Sequence, residues 1–128
     1  MKKYLLISLL FAFVVILSCK KENCSAGKGG GVNLMIFPQH HGQAIPGAKA
    51  YIKFNSQSSP ASLSAFDLTV QGDSDEVQIS ATNIRCGDYY IYCVGYDTSF
   101  AQTVKGGIPY SIPDYANGEI DMEVPVTE

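Results

Sequence analysis

Residues 87–94 read GDYYIYCV, and their side chains alternate between two sets. Successive side chains in an extended strand point to opposite faces, so one face of this stretch carries Tyr89, Ile91 and Cys93. Tyr90 and Tyr92 fall on the other face. Such alternation is typical of a strand that has one face in a core and the other toward water. The stretch therefore predicts a half-buried β-strand.

The same period-two alternation recurs between residues 32 and 126. The runs that show it are 32–37, 48–54, 66–70, 77–79, 100–104, 108–112 and 120–126. Gly106-Gly107 divides the run 100–104 from the run 108–112. Turn residues recur roughly every 8–12 residues, and no stretch has helical periodicity. We therefore predict an all-β fold, a single β-sandwich of about seven strands. Pro38, Pro109 and Pro125 predict sheet edges or bulges.

Two of these runs resemble a known family. Residues 43–52, QAIPGAKAYI, are similar to the I-P-G-A hairpin of carboxypeptidase-regulatory-like domains, and residues 86–91, CGDYYI, resemble their G-x-Y-x-I strand. The chain as a whole resembles small transthyretin-like lipoproteins of Bacteroidota. The resemblance implies a transthyretin-like (prealbumin-like) sandwich that serves as a folding or binding accessory. A long Ser-rich loop over 55–65 departs from the family's short turn.

The first 18 residues have the parts of a secretion signal. Lys2 and Lys3 precede an apolar run over 4–17, which as a helix spans only about 21 Å of the roughly 30 Å hydrocarbon core. The run ends in Ile-Leu-Ser-Cys at 16–19, which resembles the lipobox of bacterial lipoproteins. The resemblance implies cleavage before Cys19 and a lipid on its sulfur.

Three segments follow from these features. We predict a signal peptide over 1–18, a lipidated, Gly-rich flexible tether over 19–31, and the sandwich domain over 32–128. We expect the N-terminal lipid to anchor the protein in the membrane. Lys20 stands where lipoproteins retained at the inner membrane of enteric bacteria have Asp. We therefore expect this protein to lie in the cell envelope, at the outer membrane.

Charge and motifs exclude several function classes. The chain has 9 Lys and Arg against 12 Asp and Glu, and removal of Lys2 and Lys3 leaves a formal charge of −5. Without a basic stripe we expect no nucleic-acid partner. The sequence has no nucleophile elbow and no metalloprotease helix motif. We therefore expect that the protein is not an enzyme and that it binds no cofactor.

The tyrosines are the preferred binding residues. Tyr90, Tyr92 and Tyr96 share one outward row, and Tyr51 flanks it on a neighbouring run. Tyrosine offers a large contact area with a polar tip at low entropic cost, which suits an envelope protein or a glycan as partner. The alternative is that the rings only cover the sheet, because tyrosine favours strands.

His40 and His41 are the candidate metal ligands, and a periplasmic metal-handling lipoprotein is the alternative function. Adjacent side chains in a regular strand point apart, but Gly42 permits a bend here. Zinc needs three or four ligands, and none stands at ligand spacing nearby. Asp67, Asp97 or Cys24 would have to be brought in by folding.

Three cysteines remain beside the lipidated one. Cys86 and Cys93 lie seven residues apart, about 23 Å when extended and far beyond the roughly 7 Å limit for a disulfide. Cys93 falls on the inward face in mid-strand, which favours an inert buried thiol. Cys86 lies at the rim before a turn, within reach of the tether. We therefore predict a disulfide between Cys24 and Cys86.

Lipidation gives the first testable prediction. Replacing Cys19 with Ala should abolish lipid attachment and cleavage and leave uncleaved precursor, because the sulfur is the lipid's attachment point. Metabolic labelling with a fatty acid measures this directly. Equal labelling of the variant and the wild type would contradict the prediction.

Overall fold

The computed structural model describes residues 24–128, which form eight strands and one short 3-10 turn (Leu63–Ala65). The strands are β1 (Lys28–His40), β2 (Gln43–Ala44), β3 (Lys49–Phe54), β4 (Leu68–Gln71), β5 (Ile79–Ile84), β6 (Gly87–Asp97), β7 (Gln102–Ile112) and β8 (Gly118–Pro125). They form two packed sheets. The predicted all-β sandwich is confirmed.

The first sheet is built around β1. Strand β8 runs parallel to β1 along one edge, from Val32 to Gln39, while β5 and then β2 pair antiparallel with β1. The second sheet is antiparallel throughout, in the order β4-β3-β6-β7. Strand β1 is therefore the one strand of the first sheet that contacts all the others.

The core lies between the two sheets. Alternate residues of β1 are buried, beginning with Val32, Leu34 and Ile36. Strand β6 faces them with Tyr89, Ile91 and Cys93, all fully buried. The inward set predicted for residues 87–94 is confirmed. Burial of each large aliphatic side chain contributes about 1.5–3 kcal/mol, so these rows contribute substantially to the stability of the fold.

The prediction that Gly106-Gly107 divides two separate runs is wrong, because one strand, β7, covers both runs. Both glycines lie inside one continuous strand that pairs with β6 from Gly87 to Asp97. A Cβ on Gly106 would overlap the carbonyl oxygen of Pro125, and one on Gly107 would lie 2.6 Å from the carbonyl oxygen of Ile91. The glycines allow close approach of neighbouring backbone and do not end the strand.

The prolines follow the prediction at two of three places. Pro109 and Pro125 lie in β7 and β8, the edge strands of their sheets. Pro38 instead lies in central strand β1, between the residues that pair with β5 and those that pair with β2. Its carbonyl oxygen accepts a hydrogen bond from the Ile45 N–H at 3.0 Å. The missing N–H therefore falls where the ladder changes partners.

The folded domain includes residues that the sequence assigned to the tether. Strand β1 begins at Lys28, and Ala26 is buried. The Gly27 N–H donates to the Tyr89 hydroxyl at 2.9 Å, and that hydroxyl donates to the Arg85 carbonyl oxygen at 2.7 Å. These bonds satisfy a buried phenol and fix the chain where it enters the sandwich.

The predicted disulfide between Cys24 and Cys86 is confirmed, with the two Cα atoms 5.1 Å apart, and Cys93 is a free, buried thiol. The predicted signal peptide, Cys19 and the start of the tether lie outside the described residues. No helix within residues 24–128 has the length and apolar character needed to cross a membrane.

The disulfide gives a stability prediction. Replacing both Cys24 and Cys86 with Ser should lower the free energy of unfolding by about 4 kcal/mol, because the bond closes a loop across 62 residues. Urea denaturation with and without reductant measures the loss. Reductant should destabilise the wild type and leave the double variant unchanged. A wild type whose midpoint does not respond to complete reduction would contradict the prediction.

Candidate functional site

An aromatic face covers the outside of the second sheet. The register of β3 and β6 places Tyr51 opposite Tyr92. The Tyr92 ring stacks on Phe66 with centroids 5.9 Å apart, and Phe66 lies 5.8 Å from Tyr51. Tyr90 lies on the same side of β6, and all four rings are half-buried. We call these four residues the aromatic face.

The predicted tyrosine row is only partly continuous. Tyr90, Tyr92 and Tyr96 all project from the outward side of β6, and Tyr51 flanks the row as predicted. Tyr96 lies beyond Val94, near the end of the strand, and is 53% exposed. It has no aromatic neighbour among the described residues. The clustered part of the row is therefore Tyr92, which lies against Tyr51 and Phe66, while Tyr90 lies next to it on the same side of β6.

Sequence reasoning misplaced Phe66. The alternation assigned it to the same side as Leu68 and Val70, both of which pack against the core. Phe66 instead precedes β4, in the segment that follows the 3-10 turn, so the strand's alternation does not extend to it. Its ring crosses to the outer face and contacts Tyr92. No local pattern marks this change of side.

Polar groups border the aromatic face. Lys53 lies opposite Tyr90 in the register, and its amine lies 3.1 Å from an Asp67 carboxylate oxygen. Asp67 also accepts a hydrogen bond from the Phe54 N–H at 2.7 Å, and that bond, with Lys53, lowers the pKa of its carboxyl. Burial, with the neighbouring phenols, raises the pKa of Tyr92. Tyr92 therefore remains a neutral hydrogen-bonding group beside a charged border.

A buried histidine lies at the far end of β1. His40 is the last inward residue of the strand and is 1% exposed. Its Nδ1 lies 2.7 Å from Oδ2 of Asp97, and its Nε2 lies 3.0 Å from Oε2 of Glu128. Asp97 is itself buried and accepts hydrogen bonds from the backbone N–H groups of Ser99, at 2.8 Å, and Phe100, at 3.4 Å. Both ring nitrogens of His40 thus have carboxylate partners.

The second histidine turns toward the same place. His41 has a φ of +49° and Gly42 a φ of +76°, so the chain bends at the end of β1 as the glycine permits. The two imidazole centroids lie 4.2 Å apart, and the Phe100 ring lies about 5.5 Å from each. Ligand atoms of His40, His41 and Glu128 lie within 4.8 Å of one another. We call these three residues and Asp97 the histidine cluster.

Hydrogen bonding governs the charges of the cluster. The hydrogen bond to Asp97 raises the pKa of His40 above 6.5, against the opposing effect of burial, and Glu128 adds to the rise. The bond to His40 lowers the pKa of Asp97. The pKa of Glu128 is lowered first by its own backbone N–H and then by His40. The two carboxylates therefore favour the protonated form of His40.

The sequence named only part of this cluster. Asp97 was a distant candidate that folding would have to bring in, and the structure does so, while Glu128 was missed. Asp67 and Cys24, the other distant candidates, lie elsewhere: Asp67 pairs with Lys53 and Cys24 forms the disulfide. One signal was present, because Asp97 and His40 both fall on the inward phase of their strands, where an ionisable group needs a partner.

Cys93 takes no part in either site. Its side chain is fully buried between the sheets, and burial raises the pKa of its thiol to about 12. A thiol with such a pKa carries essentially no thiolate near neutral pH and is unreactive. The interpretation of Cys93 as an inert core residue is consistent with this environment.

Comparisons with known protein families, with curated proteins and with solved structures found no match to this chain.

The cluster predicts a pH dependence. A raised folded pKa of His40 means that its protonation stabilises the fold below pH 6.5, and that this contribution is lost as pH rises through the folded pKa. In buffer that contains a chelator, the free energy of unfolding of the wild type should therefore fall as the pH rises from 6.5 through the folded pKa, and by more than that of Asp97→Asn. NMR titration of the His40 ring should give a midpoint above 6.5, and Asp97→Asn should lower it.

An exposed acid in a turn provides the control. Asp75→Asn should leave the His40 titration unchanged, since residue 75 lies outside the cluster. A wild-type midpoint at or below 6.5 would show that burial outweighs the two carboxylates.

Proposed function

We propose that this protein is a non-enzymatic, lipid-anchored module of the bacterial cell envelope that binds a protein or a glycan through its aromatic face. The observation that carries the proposal is the contact of Tyr51, Phe66 and Tyr92 on the outer side of a sheet. The water-facing side of an antiparallel sheet is usually polar. Clustered, half-exposed rings there suit a binding surface.

The chemistry of the face fits both partner classes. Tyrosine rings give a flat apolar contact with hydroxyl groups at the rim, and they lose little conformational entropy on binding. Lys49 and Lys53 lie on either side of Tyr51 along β3 and supply hydrogen-bond donors. A glycan would stack on the rings and bond to this border, whereas a protein partner would cover the whole face.

The strand directions suit an anchored module. Strands β1 and β6 both begin near the disulfide and end at the histidine cluster, and the 11 residues of β6 span about 35 Å. A lipid on Cys19 would lie within about 18 Å of Cys24, because the two residues are five positions apart. The disulfide end would then face the membrane. The aromatic face would stand beside the anchor, open to envelope partners.

The other expectations from sequence extend this proposal. The transthyretin-like relationship, the lipidation of Cys19 and the location at the outer membrane remain predictions. The two-sheet architecture is compatible with the first of them. The proposal of a non-enzymatic role rests on the absence of recognised catalytic motifs from the sequence.

Partner capture tests the aromatic face. Tyr90→Ser combined with Tyr92→Ser should lower capture in the native cell at least about tenfold, since hot-spot aromatics commonly contribute 2 kcal/mol or more. Crosslinking followed by mass spectrometry detects a protein partner, and a glycan array detects a sugar. Tyr115→Ser is the matched control, because Tyr115 is 86% exposed and lies outside the face.

Circular dichroism and urea denaturation decide between binding and packing. A double variant that retains the fold but loses capture supports the proposal. A double variant that unfolds would show that the rings only cover the sheet. Unchanged capture with an intact fold would also overturn the proposal.

A further inference from the structure

We propose that the histidine cluster is a binding site for a divalent metal ion of the zinc class, with His40, His41 and Glu128 as ligands. The three side chains supply two imidazole nitrogens and one carboxylate oxygen within 4.8 Å of one another. Zinc bonds of about 2.0–2.1 Å in tetrahedral geometry hold donor atoms roughly 3.3 Å apart. The cluster is therefore close to ligand geometry and needs only small side-chain movements.

Asp97 is the observation that points beyond two neighbouring histidines. It accepts a hydrogen bond from Nδ1–H of His40, which directs the lone pair of a neutral ring to Nε2, on the Glu128 side. A metal-binding histidine almost always donates its second N–H to such a carboxylate or to a carbonyl. Asp97 is fixed in turn by the N–H groups of Ser99 and Phe100. We assign it as a positioning residue.

The charges and surroundings are also suitable. The carboxylates of Asp97 and Glu128 together balance the two charges of the ion, so a loaded site is neutral. The Phe100 ring, itself 55% exposed, packs against both imidazoles. His41 and Glu128 are exposed, so an ion has direct access from solvent. A buried histidine alone would offer an ion neither access from solvent nor carboxylates to balance its charge.

The donor set limits which metal fits. Two imidazoles and one carboxylate suit Zn²⁺, and Cu²⁺ binds the same donors more tightly, whereas Mg²⁺ and Ca²⁺ prefer sites made wholly of oxygen. Three protein ligands leave a fourth position for water or for a donor from a partner. The site lies at the opposite end of β6 from the disulfide and is separate from the aromatic face.

The bound ion would connect three segments that are distant in sequence. His40 ends β1 and His41 follows it, Glu128 follows β8, and Asp97 ends β6. An ion that binds the folded state alone stabilises it in proportion to the logarithm of its free concentration. Metal binding should therefore raise the melting temperature of the wild type and not that of variants that lack a ligand.

The test uses the full-length protein, purified in detergent without a histidine tag and dialysed against chelator. Titration with Co²⁺ should give visible absorption bands of tetrahedral coordination that saturate at one ion per chain, and Zn²⁺ should displace it. His41→Ala and Glu128→Gln should each weaken Zn²⁺ binding at least about tenfold. Asp97→Asn should weaken it about 10- to 100-fold.

The variants are chosen to keep the fold. The side chains of His41 and Glu128 are exposed, so their replacement leaves the core intact, as circular dichroism should show. Glu123→Gln is the matched control, an exposed glutamate on β8 outside the cluster, and should bind Zn²⁺ as the wild type does. The Tyr90 and Tyr92 double variant should also bind normally, which separates this site from the aromatic face.

Two results would overturn the proposal. One is Zn²⁺ binding that is equally strong in the wild type, His41→Ala and Glu128→Gln, which would indicate adventitious surface binding. The other is the absence of saturable binding below about 100 µM in the intact, folded protein. The cluster would then be a structural ion network in which an imidazolium bridges two carboxylates.

Discussion

The pairing of β1 with three strands is the constraint on which the other features depend. Because β5, β2 and β8 all hydrogen-bond to it, its register is fixed over its length, and so is the set of side chains that points inward. That inward row begins with Val32 and ends with His40. The same alternation that builds the core thus carries an imidazole into the interior. Burial of such a group requires partners.

Those partners come from strands that end at the same level as β1. Asp97 ends β6, and Glu128 follows β8, which runs parallel to β1. Every buried side-chain nitrogen and oxygen in the part of the chain that the structure describes has a hydrogen-bond partner. Both ring nitrogens of His40 therefore have hydrogen-bond partners, and these partners are two carboxylates instead of backbone carbonyl groups. That choice gives the end of the sandwich its ionic character.

The sequence revealed mainly what depends on neighbouring residues. Period-two alternation depends on neighbouring residues, so the core rows and the all-β architecture were predictable. The disulfide followed from reach and phase. The role of Gly106 depends on the backbone at the end of β8. The position at which the chain enters β1 depends on the Tyr89 hydroxyl, 62 residues from Gly27. Glu128 lies 88 residues from His40, and no pattern joins them.

The two ends of the long strands are closed in different ways. At one end the Cys24–Cys86 disulfide and the Tyr89 hydroxyl hold the start of β1 against β6. At the other end the histidine cluster joins the ends of β1 and β6 to the segment after β8, beside a backbone hydrogen bond from the Val126 N–H to the Gln39 carbonyl oxygen. A disulfide persists in an oxidising compartment. An imidazole between two carboxylates can instead release a proton and bind a cation. The group that can respond to protons and cations therefore lies at the end of the sandwich away from the disulfide.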